Sequence, residues 1–253
     1  MVWINQIICY CYDQGWSTQI YDAIVAIAFV AQLAFLVFYR KKYGLSLTKA
    51  CLGVVLIYSA GYFWMLVLTW IENGFKNWGA NNIVRVYVYM PLICAAVSKI
   101  LRVPGKMLSD YIAPSMALQQ VIGHSVCPFA GCCQGYPSAW GVWNPARNDI
   151  RFPNQWLECL VALLIVLWLL RQAKKDHYSG GGKIYAMLLV TFGSTRFFLE
   201  FLRDNHKLIA GISNLAFHAI FMAVVGTIWL FVLVEKEKEE KRKAGNKQQS
   251  HRK

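Results

Sequence analysis

In the stretch Gly193-Ser194-Thr195-Arg196-Phe197-Phe198-Leu199-Glu200-Phe201-Leu202-Arg203, Arg196, Glu200 and Arg203 stand at i, i+4 and i+7, which on a helix puts all three on one face. The run around them is apolar enough to lie in lipid, where a central charge costs roughly 2.5 to 3.5 kcal/mol on insertion scales. Charges kept at that cost tend to be paired and functional. Guanidinium groups give phosphate bidentate, charge-assisted contacts, so Arg196 and Arg203, only partly neutralised by carboxylates, are candidates to bind an anionic phospholipid headgroup. A second set opens an earlier run, Pro153-Asn154-Gln155-Trp156-Leu157-Glu158, with Gln155 and Glu158 on one face. A third closes the run before that, Gly123-His124-Ser125-Val126-Cys127-Pro128-Phe129-Ala130-Gly131-Cys132-Cys133-Gln134-Gly135. Its His124 has the ordinary pKa to take a proton from a nucleophile near neutrality. Asn81, Asn82 and Arg85 open another run, and Ser213, Asn214 and His218 open the last.

Each group also has a plainer reading. Arg196 and Glu200 can be an ion pair that only fixes helix packing, and His124 can be a hydrogen-bonded packing residue. Gly123, Gly131 and Gly135 can serve close helix approach. His218 reads as a packing residue, and Arg85 as a side chain snorkelling to the interface. His124, Cys127, Cys132 and Cys133 are ligand types suited to zinc. Vicinal cysteines chelate one tetrahedral ion poorly, however, and the spacing fits no common finger, so neither metal nor cofactor is expected. A disulfide among them stays open, because the outer side can be oxidising.

The elements that must position these groups are membrane helices. Of 253 residues 57% are hydrophobic and 15% charged, against about a quarter charged in soluble domains. The apolar residues come in runs near the ~20 needed to cross a bilayer. Seven spans are predicted: Ala23 to Tyr39, Ala50 to Ile71, Ile83 to Leu101, Tyr111 to Cys133, Gln155 to Leu170, Ile184 to Leu202 and Ile212 to Val234. The fold expected is all-α and polytopic, a single membrane domain over 1–234 followed by a basic tail over 235–253.

Lys and Arg alternate strongly between sides: 19 on one side, including the tail, and six on the other, with Arg196 inside a span. The positive-inside rule puts the richer side, and the C-terminus, in the cytoplasm. An odd number of crossings then places the N-terminus outside. Trp70, Trp78, Tyr136, Trp140, Trp143 and Trp156 fall at outer ends of spans, where amphipathic rings settle. The longest outer loop, Gln134 to Asn154, holds Gly135, Pro137, Gly141, Pro145 and Pro153 and is expected to be irregular and lid-like. All the polar sets above lie toward that side.

The net charge of +13 sits in short clusters between spans, which argues against a nucleic-acid binder. The eight cysteines are scattered and form no disulfide framework. Met1 to Trp16 lacks the basic start and apolar core of a signal peptide, so the first span is expected to remain.

The motifs resemble those of bacterial prolipoprotein diacylglyceryl transferases. That family is similar in having seven helices, an outside N-terminus, a Pro-x-Gln-x-x-Glu helix start and a Gly-x-x-Arg-Phe-x-x-Glu-Phe-x-Arg stretch. Here these are met by Pro153, Gln155 and Glu158, and by Gly193, Arg196, Phe197, Glu200, Phe201 and Arg203. The family's glycine-rich motif is matched by Gly123, Gly131 and Gly135, preceded by Asp110, Ala113 and Pro114. Where the family has Arg after the first glycine this chain has His124, and the family's Asn and Glu positions fall on Cys127 and Cys132. A His-Gly-Gly motif expected near the third span is replaced by Asn81-Asn82-Ile83-Val84-Arg85.

The resemblance implies transfer of a diacylglyceryl group from phosphatidylglycerol to a lipobox cysteine thiol of a prolipoprotein, in the bacterial inner membrane, without cofactor or metal. Catalysis would fall to His124, Arg196 and Glu200, and substrate binding to Arg203, Glu158, Gln155 and Arg85. Two other readings compete: the same scaffold with a different acceptor, and a non-enzymatic lipid-binding or transport protein. The broken helices and inverted repeats common in transporters are not legible here.

Overall fold

The computed structural model describes residues 1–76, 83–204 and 213–250. Asn81, Asn82 and Trp78, all named in the sequence analysis, lie outside these residues. Helices dominate: α1 (Val2–Asp13), α2 (Ser17–Tyr39), α3 (Leu47–Glu72), α4 (Met90–Leu101), α5 (Gly105–Ala130), then a hairpin of β1 (Pro137–Asn144) and β2 (Asp149–Arg151), then α6 (Asn154–Lys175), α7 (Lys183–Glu200) and α8 (Asn214–Ser250).

Among the described residues, four stretches are long and apolar enough to cross a membrane: Ser17–Tyr43, Leu47–Glu72, Asn154–Lys175 and Asn214–Lys243, with Met90–Leu101 a shorter apolar helix. Val30, Phe38, Val55, Phe63, Leu164, Leu167, Ile228 and Phe231 are exposed on them, an apolar surface of the kind lipid covers. The chain is therefore a multi-pass membrane protein.

Helices α5 and α7 are less apolar because they are interior. Ten consecutive residues of α5, Leu108 to Ala117, are all buried, and α5 packs against α2, α4, α6 and α7. Inside such a bundle a polar side chain is acceptable when a neighbour satisfies it. Gln32 on α2 donates to the Tyr58 hydroxyl (2.6 Å) and the Ser115 carbonyl (3.1 Å), and the Tyr111 hydroxyl donates to the Leu36 carbonyl at 2.7 Å.

Asp110, fully buried, lies against the N-terminus of α7. Its carboxylate accepts from the Gly182 N–H (2.7 Å) and the Tyr185 N–H (2.9 Å), two groups that a helix start leaves without intrahelical partners. An unpaired buried N–H costs about 1–3 kcal/mol. Asp110→Ala is accordingly expected to lower the thermal midpoint of the detergent-solubilised protein markedly, and Asp110→Asn, which keeps one acceptor, by less. An unchanged midpoint in the alanine variant would remove the capping role.

The α7–α8 contact is set by glycine. A Cβ on Gly193 would meet the Ala223 nitrogen at 2.7 Å and the Ala219 oxygen at 2.8 Å; one on Gly226 would meet the Leu189 Cβ at 2.7 Å and the Val190 nitrogen at 2.8 Å. The two backbones touch at both points, as small residues permit in membrane bundles.

The structure departs from the sequence reading in several places. The third span is broken: a 3-10 turn covers Ile83–Val86 and the helix starts at Met90 with Pro91 in its first turn, the position where proline's missing N–H is harmless. The fourth span stops at Ala130, capped by left-handed Gly131 (φ 63°), instead of running to Cys133. The outer loop is irregular only in part: it carries the antiparallel hairpin, with Trp143 opposite Ile150 and Asn144 opposite Asp149 and a register shift between Pro137 and Val142. Finally, α8 runs through Val234 without interruption, its Lys/Glu tail carrying Lys238–Glu235 (2.7 Å) and Lys243–Glu239 (2.6 Å) pairs one helical turn apart. The unexpected α1 holds the hairpin: Asn5 donates to the Gly141 carbonyl (3.1 Å) and accepts from the Trp143 N–H (3.0 Å).

Candidate active site

Three helices bring their polar residues to one carboxylate. Glu158 lies one turn into α6 and is almost wholly buried. Its Oε1 accepts from Asn154 Nδ2 (2.7 Å), Arg196 Nη1 (2.8 Å) and Arg203 Nε (2.7 Å). Its Oε2 accepts from Arg203 Nη2 and lies 3.0 Å from His124 Nε2. Arg203 therefore grips Glu158 in the two-pronged geometry that guanidinium and carboxylate share. Arg196 bridges to a second carboxylate, its Nη2 lying 2.8 Å from Glu200 Oε2. Ser213, just before α8, donates to Glu200 Oε1 at 2.7 Å.

Arg196 and Glu200 share a face of α7 as the spacing implied, whereas the helix ends at Glu200 and Arg203 reaches Glu158 from the turn beyond it. Neutralisation is more complete than expected: two carboxylates face two guanidiniums. What remains for a ligand is hydrogen-bonding capacity. Arg196 Nε and Gln155 Oε1 are buried and have no partner among the described residues. A cavity of about 10 Å³ runs beside Arg196, room for about one water molecule. His124, Glu158, Thr195 and Arg196 form its polar side, and Phe192 and Leu199 are among its apolar walls.

The other groups sort as follows. Gln155 sits at the edge of the cluster and donates to the Cys132 carbonyl at 2.9 Å. Arg85 is not in it: its Nη2 pairs with Glu72 at 2.7 Å, and Glu72 also meets His218 Nε2 at 3.2 Å. The end of α3 supplies a nearer carboxylate than α6 does, so Arg85 and His218 belong to a second polar group. Gly123 has no atom within 4 Å of where a Cβ would stand and does not serve close packing. Gly135 does, since a Cβ there would meet the Phe152 carbonyl oxygen at 2.9 Å and the Leu202 oxygen at 3.0 Å.

Asn154 and Ser213 carried no assigned role in the sequence reading. Asn154 was legible as a polar residue at the helix start four positions before Glu158. Nothing local in Ser213 pointed to Glu200, because the two meet only when α8 packs on α7.

Gly135 also brings the hairpin to the end of α7. It forms a β-bridge with Arg203, and the Asp204 N–H donates to the Gln134 carbonyl at 3.2 Å. Arg151, on β2, locks this junction. Its Nε and Nη2 bond Asp149 (2.7 and 2.8 Å) and its Nη1 bonds Asp204 (2.5 Å). These carboxylates, Asp149 foremost through its hydrogen bonds, hold the guanidinium pKa above its ordinary value.

Around His124 lies a set of thiols. Cys127 Sγ is 3.6 Å from His124 Nδ1, and one ligand atom each of His124, Cys127 and Cys133 lie within 4.8 Å of one another.

Comparison with known proteins bears on this arrangement. The family described as prolipoprotein diacylglyceryl transferase matches residues 13–232. A phosphatidylglycerol–prolipoprotein diacylglyceryl transferase of Clostridium tetani is 27% identical over 171 residues, 63% of this chain and 64% of the relative. The second protein of that description in Clostridium perfringens is 30% identical over 129 residues, 48% of this chain and 50% of the relative. The first in Streptomyces coelicolor is 25% identical over 192 residues, 72% of this chain and 53% of the relative. The chain spans about half to two thirds of the length of these curated relatives.

Proposed function

The chain belongs to the prolipoprotein diacylglyceryl transferase family, and from that premise we propose that it moves the diacylglyceryl group of phosphatidylglycerol onto a lipobox cysteine thiol of a prolipoprotein. The observation that carries this reading is the convergence of Arg196, Arg203, His124 and Asn154 on Glu158 inside an otherwise apolar bundle. The names of the relatives, which specify phosphatidylglycerol and prolipoprotein, support it.

In the reaction a sulfur–carbon bond forms at the glyceryl carbon, the carbon–oxygen bond to phosphate breaks, and glycerol phosphate leaves with the electron pair. Arg196 and Arg203 bind that phosphate through N–H groups their carboxylates do not use, where charge grows in the transition state. Glu158 and Glu200 hold the guanidiniums in place, and Gln155 binds at the rim. Glu158 also fixes the ring of His124, so that Nδ1 is the nitrogen turned toward the acceptor thiol and able to take its proton. Arg85, engaged by Glu72, is left out of the site.

The same proposal includes the topology. Seven spans run from an outside N-terminus to a cytoplasmic C-terminus in a bacterial inner membrane, one membrane domain over 1–234 with 235–253 as its basic tail. The charge asymmetry supports it, and the hairpin and α1 then cover the outer end of the site.

The test is a transfer assay in detergent or lipid nanodiscs with labelled phosphatidylglycerol and a lipobox peptide. The peptide is expected to gain the diacylglyceryl mass, and a serine-substituted peptide is not. No product beside a working relative would overturn the reading, while phospholipid turnover without the peptide would point to another acceptor.

A further inference from the structure

We propose that Cys127 and Cys133 close into a reversible disulfide, and that the oxidised form is the one that performs the transfer. Both thiols are free in this structure, Cys127 buried and Cys133 half-buried. Their sulfurs lie within 4.8 Å of each other, so an S–S bond of about 2.05 Å asks no more than about 1.4 Å of movement from each. A side-chain rotation covers that distance.

The end of α5 holds the pair in place. The Cys132 N–H donates to the Cys127 carbonyl and the Gly131 N–H to the Pro128 carbonyl, both at 3.3 Å, the two bonds of a helix that closes on a left-handed glycine. Such an ending folds the chain back over the last helical turn. Cys133, itself left-handed at φ 57°, thereby returns its sulfur to Cys127 and His124. Cys132 is the neighbour left unpaired, its S–H turned to the Cys127 carbonyl at 3.8 Å. Gln155 pins the Cys132 carbonyl from α6 at 2.9 Å, and the bridge between Gly135 and Arg203 pins the chain beyond it. Two thiols fixed this way have already lost much of the freedom a cross-link would take from them.

Closure proceeds by exchange with a disulfide oxidant. The half-buried Cys133 thiolate attacks one sulfur of the oxidant and the other sulfur leaves as a thiol, giving a mixed disulfide. Cys127 then attacks the Cys133 sulfur and displaces the second half. Two thiol protons and two electrons pass to the oxidant, which departs as two thiols. In the proposed topology this end of α5 faces the outer side, where disulfides persist.

What closure does rests on the transferase reading. His124 Nε2 lies 3.0 Å from Glu158, so the N–H it donates leaves Nδ1 as the acceptor, and in the reduced form the Cys127 thiol occupies that nitrogen at 3.6 Å. A disulfide sulfur carries no proton, so closure releases Nδ1 to the acceptor thiol. It also removes two nucleophiles that compete for the same lipid. A reduced Cys133 gives its proton to the imidazole and attacks the glyceryl carbon itself. The carbon–oxygen bond breaks, glycerol phosphate leaves with the electron pair, and a thioether stays on the protein and ends its activity. Pairing the two thiols protects an enzyme that brings an alkylating lipid beside them.

The experiment divides the full chain, in lipid nanodiscs, into a sample treated with oxidised glutathione and one reduced with a phosphine, each then freed of reagent. Peptic digestion at low pH, with cleavage after Phe129, should give from the oxidised sample two peptides joined between Cys127 and Cys133. Unjoined peptides, or a bond to Cys132, overturn the pair. With labelled phosphatidylglycerol and a lipobox peptide, the oxidised sample should transfer at least ~10-fold faster, since access to a general base is worth more than that. Equal rates overturn the role of the bond. Folded Cys133→Ala should transfer at one rate in both samples, while Cys51→Ala, in α3, should keep the difference; a redox response surviving in Cys133→Ala also overturns that role. With phosphatidylglycerol and no peptide, the reduced sample should gain a diacylglyceryl mass on Cys133 and the oxidised sample should not; an unmodified reduced sample overturns the protective role. A mapped pair with no product in either sample, beside a working relative, would overturn the transferase reading and leave the disulfide standing.

Discussion

Glu158→Gln is expected to reduce diacylglyceryl transfer by at least ~100-fold per folded molecule and to lower the thermal midpoint as well. Glutamine fits the same space but presents an N–H group to a site where the surrounding residues are themselves donors. Glu200, 2.8 Å from Arg196 and 4.0 Å from Arg203, is then the carboxylate left to the guanidiniums, and His124 loses the one it faces. Removing one partner of a buried ion pair typically costs 3–5 kcal/mol, and about 1.4 kcal/mol is a factor of ten in rate, so displacement of the two arginines accounts for the size of the loss. The comparison to make is turnover against the fraction still folded, with Glu158→Asp as the variant that keeps the charge. Wild-type turnover in a folded glutamine variant would mean that the convergence on Glu158 has no part in the reaction.

The second large effect is expected at Arg196. Its guanidinium spans two carboxylates, Glu158 and Glu200, each at 2.8 Å, and keeps an Nε–H for a ligand. Lysine keeps the charge but is a single point of donors on a flexible stem and cannot reproduce that planar bridge. Arg196→Lys should therefore fold, and lose about 10²–10³ in turnover if the lost donor acts on the leaving phosphate, the range seen when one transition-state donor is removed. Arg196→Ala leaves two carboxylates without their shared cation and should also be destabilised. A lysine variant within a fewfold of the parent would confine Arg196 to holding α6 and α7 together.

Much of this was legible in the chain itself. The pairing of Arg196 with Glu200 was readable because a helix repeats every 3.6 residues, Arg203 reaches the same carboxylates only because the chain turns after Glu200, and Glu158 and Gln155 were found because they open an apolar run. What spacing does not encode is which side chains from separate helices meet. Glu158 looked like one carboxylate among several, and only the packing of α5, α6 and α7 makes it the common acceptor. Arg85 looked equivalent to the other arginines because nothing local reveals that Glu72 is its neighbour. Which thiols meet was not legible from linear spacing, because the left-handed turn at Gly131 and Cys133 that brings Cys133 near His124 and Cys127 is a three-dimensional feature. The hairpin escaped notice since glycine and proline counts signal a break in helix and say little of what replaces it. Helix α1, only 12 residues long, fell below the length by which membrane spans are recognised.

The reciprocal glycines of α7 and α8 have a mechanical consequence. With no side chain as a spacer at either crossing, one helix cannot slide or roll on the other without atoms colliding, so the two behave as a single stiff beam. Arg196 and Glu200 ride on that beam, and Ser213, at its far end, steadies Glu200. Under the proposed reaction the small cavity beside Arg196 has to widen severalfold to admit a phosphate with its acyl chains, and that displacement is expected of α5 and α6. A lipid arriving at the site thus works against the hydrogen bonds of Glu158, and its own phosphate is the group best able to replace them.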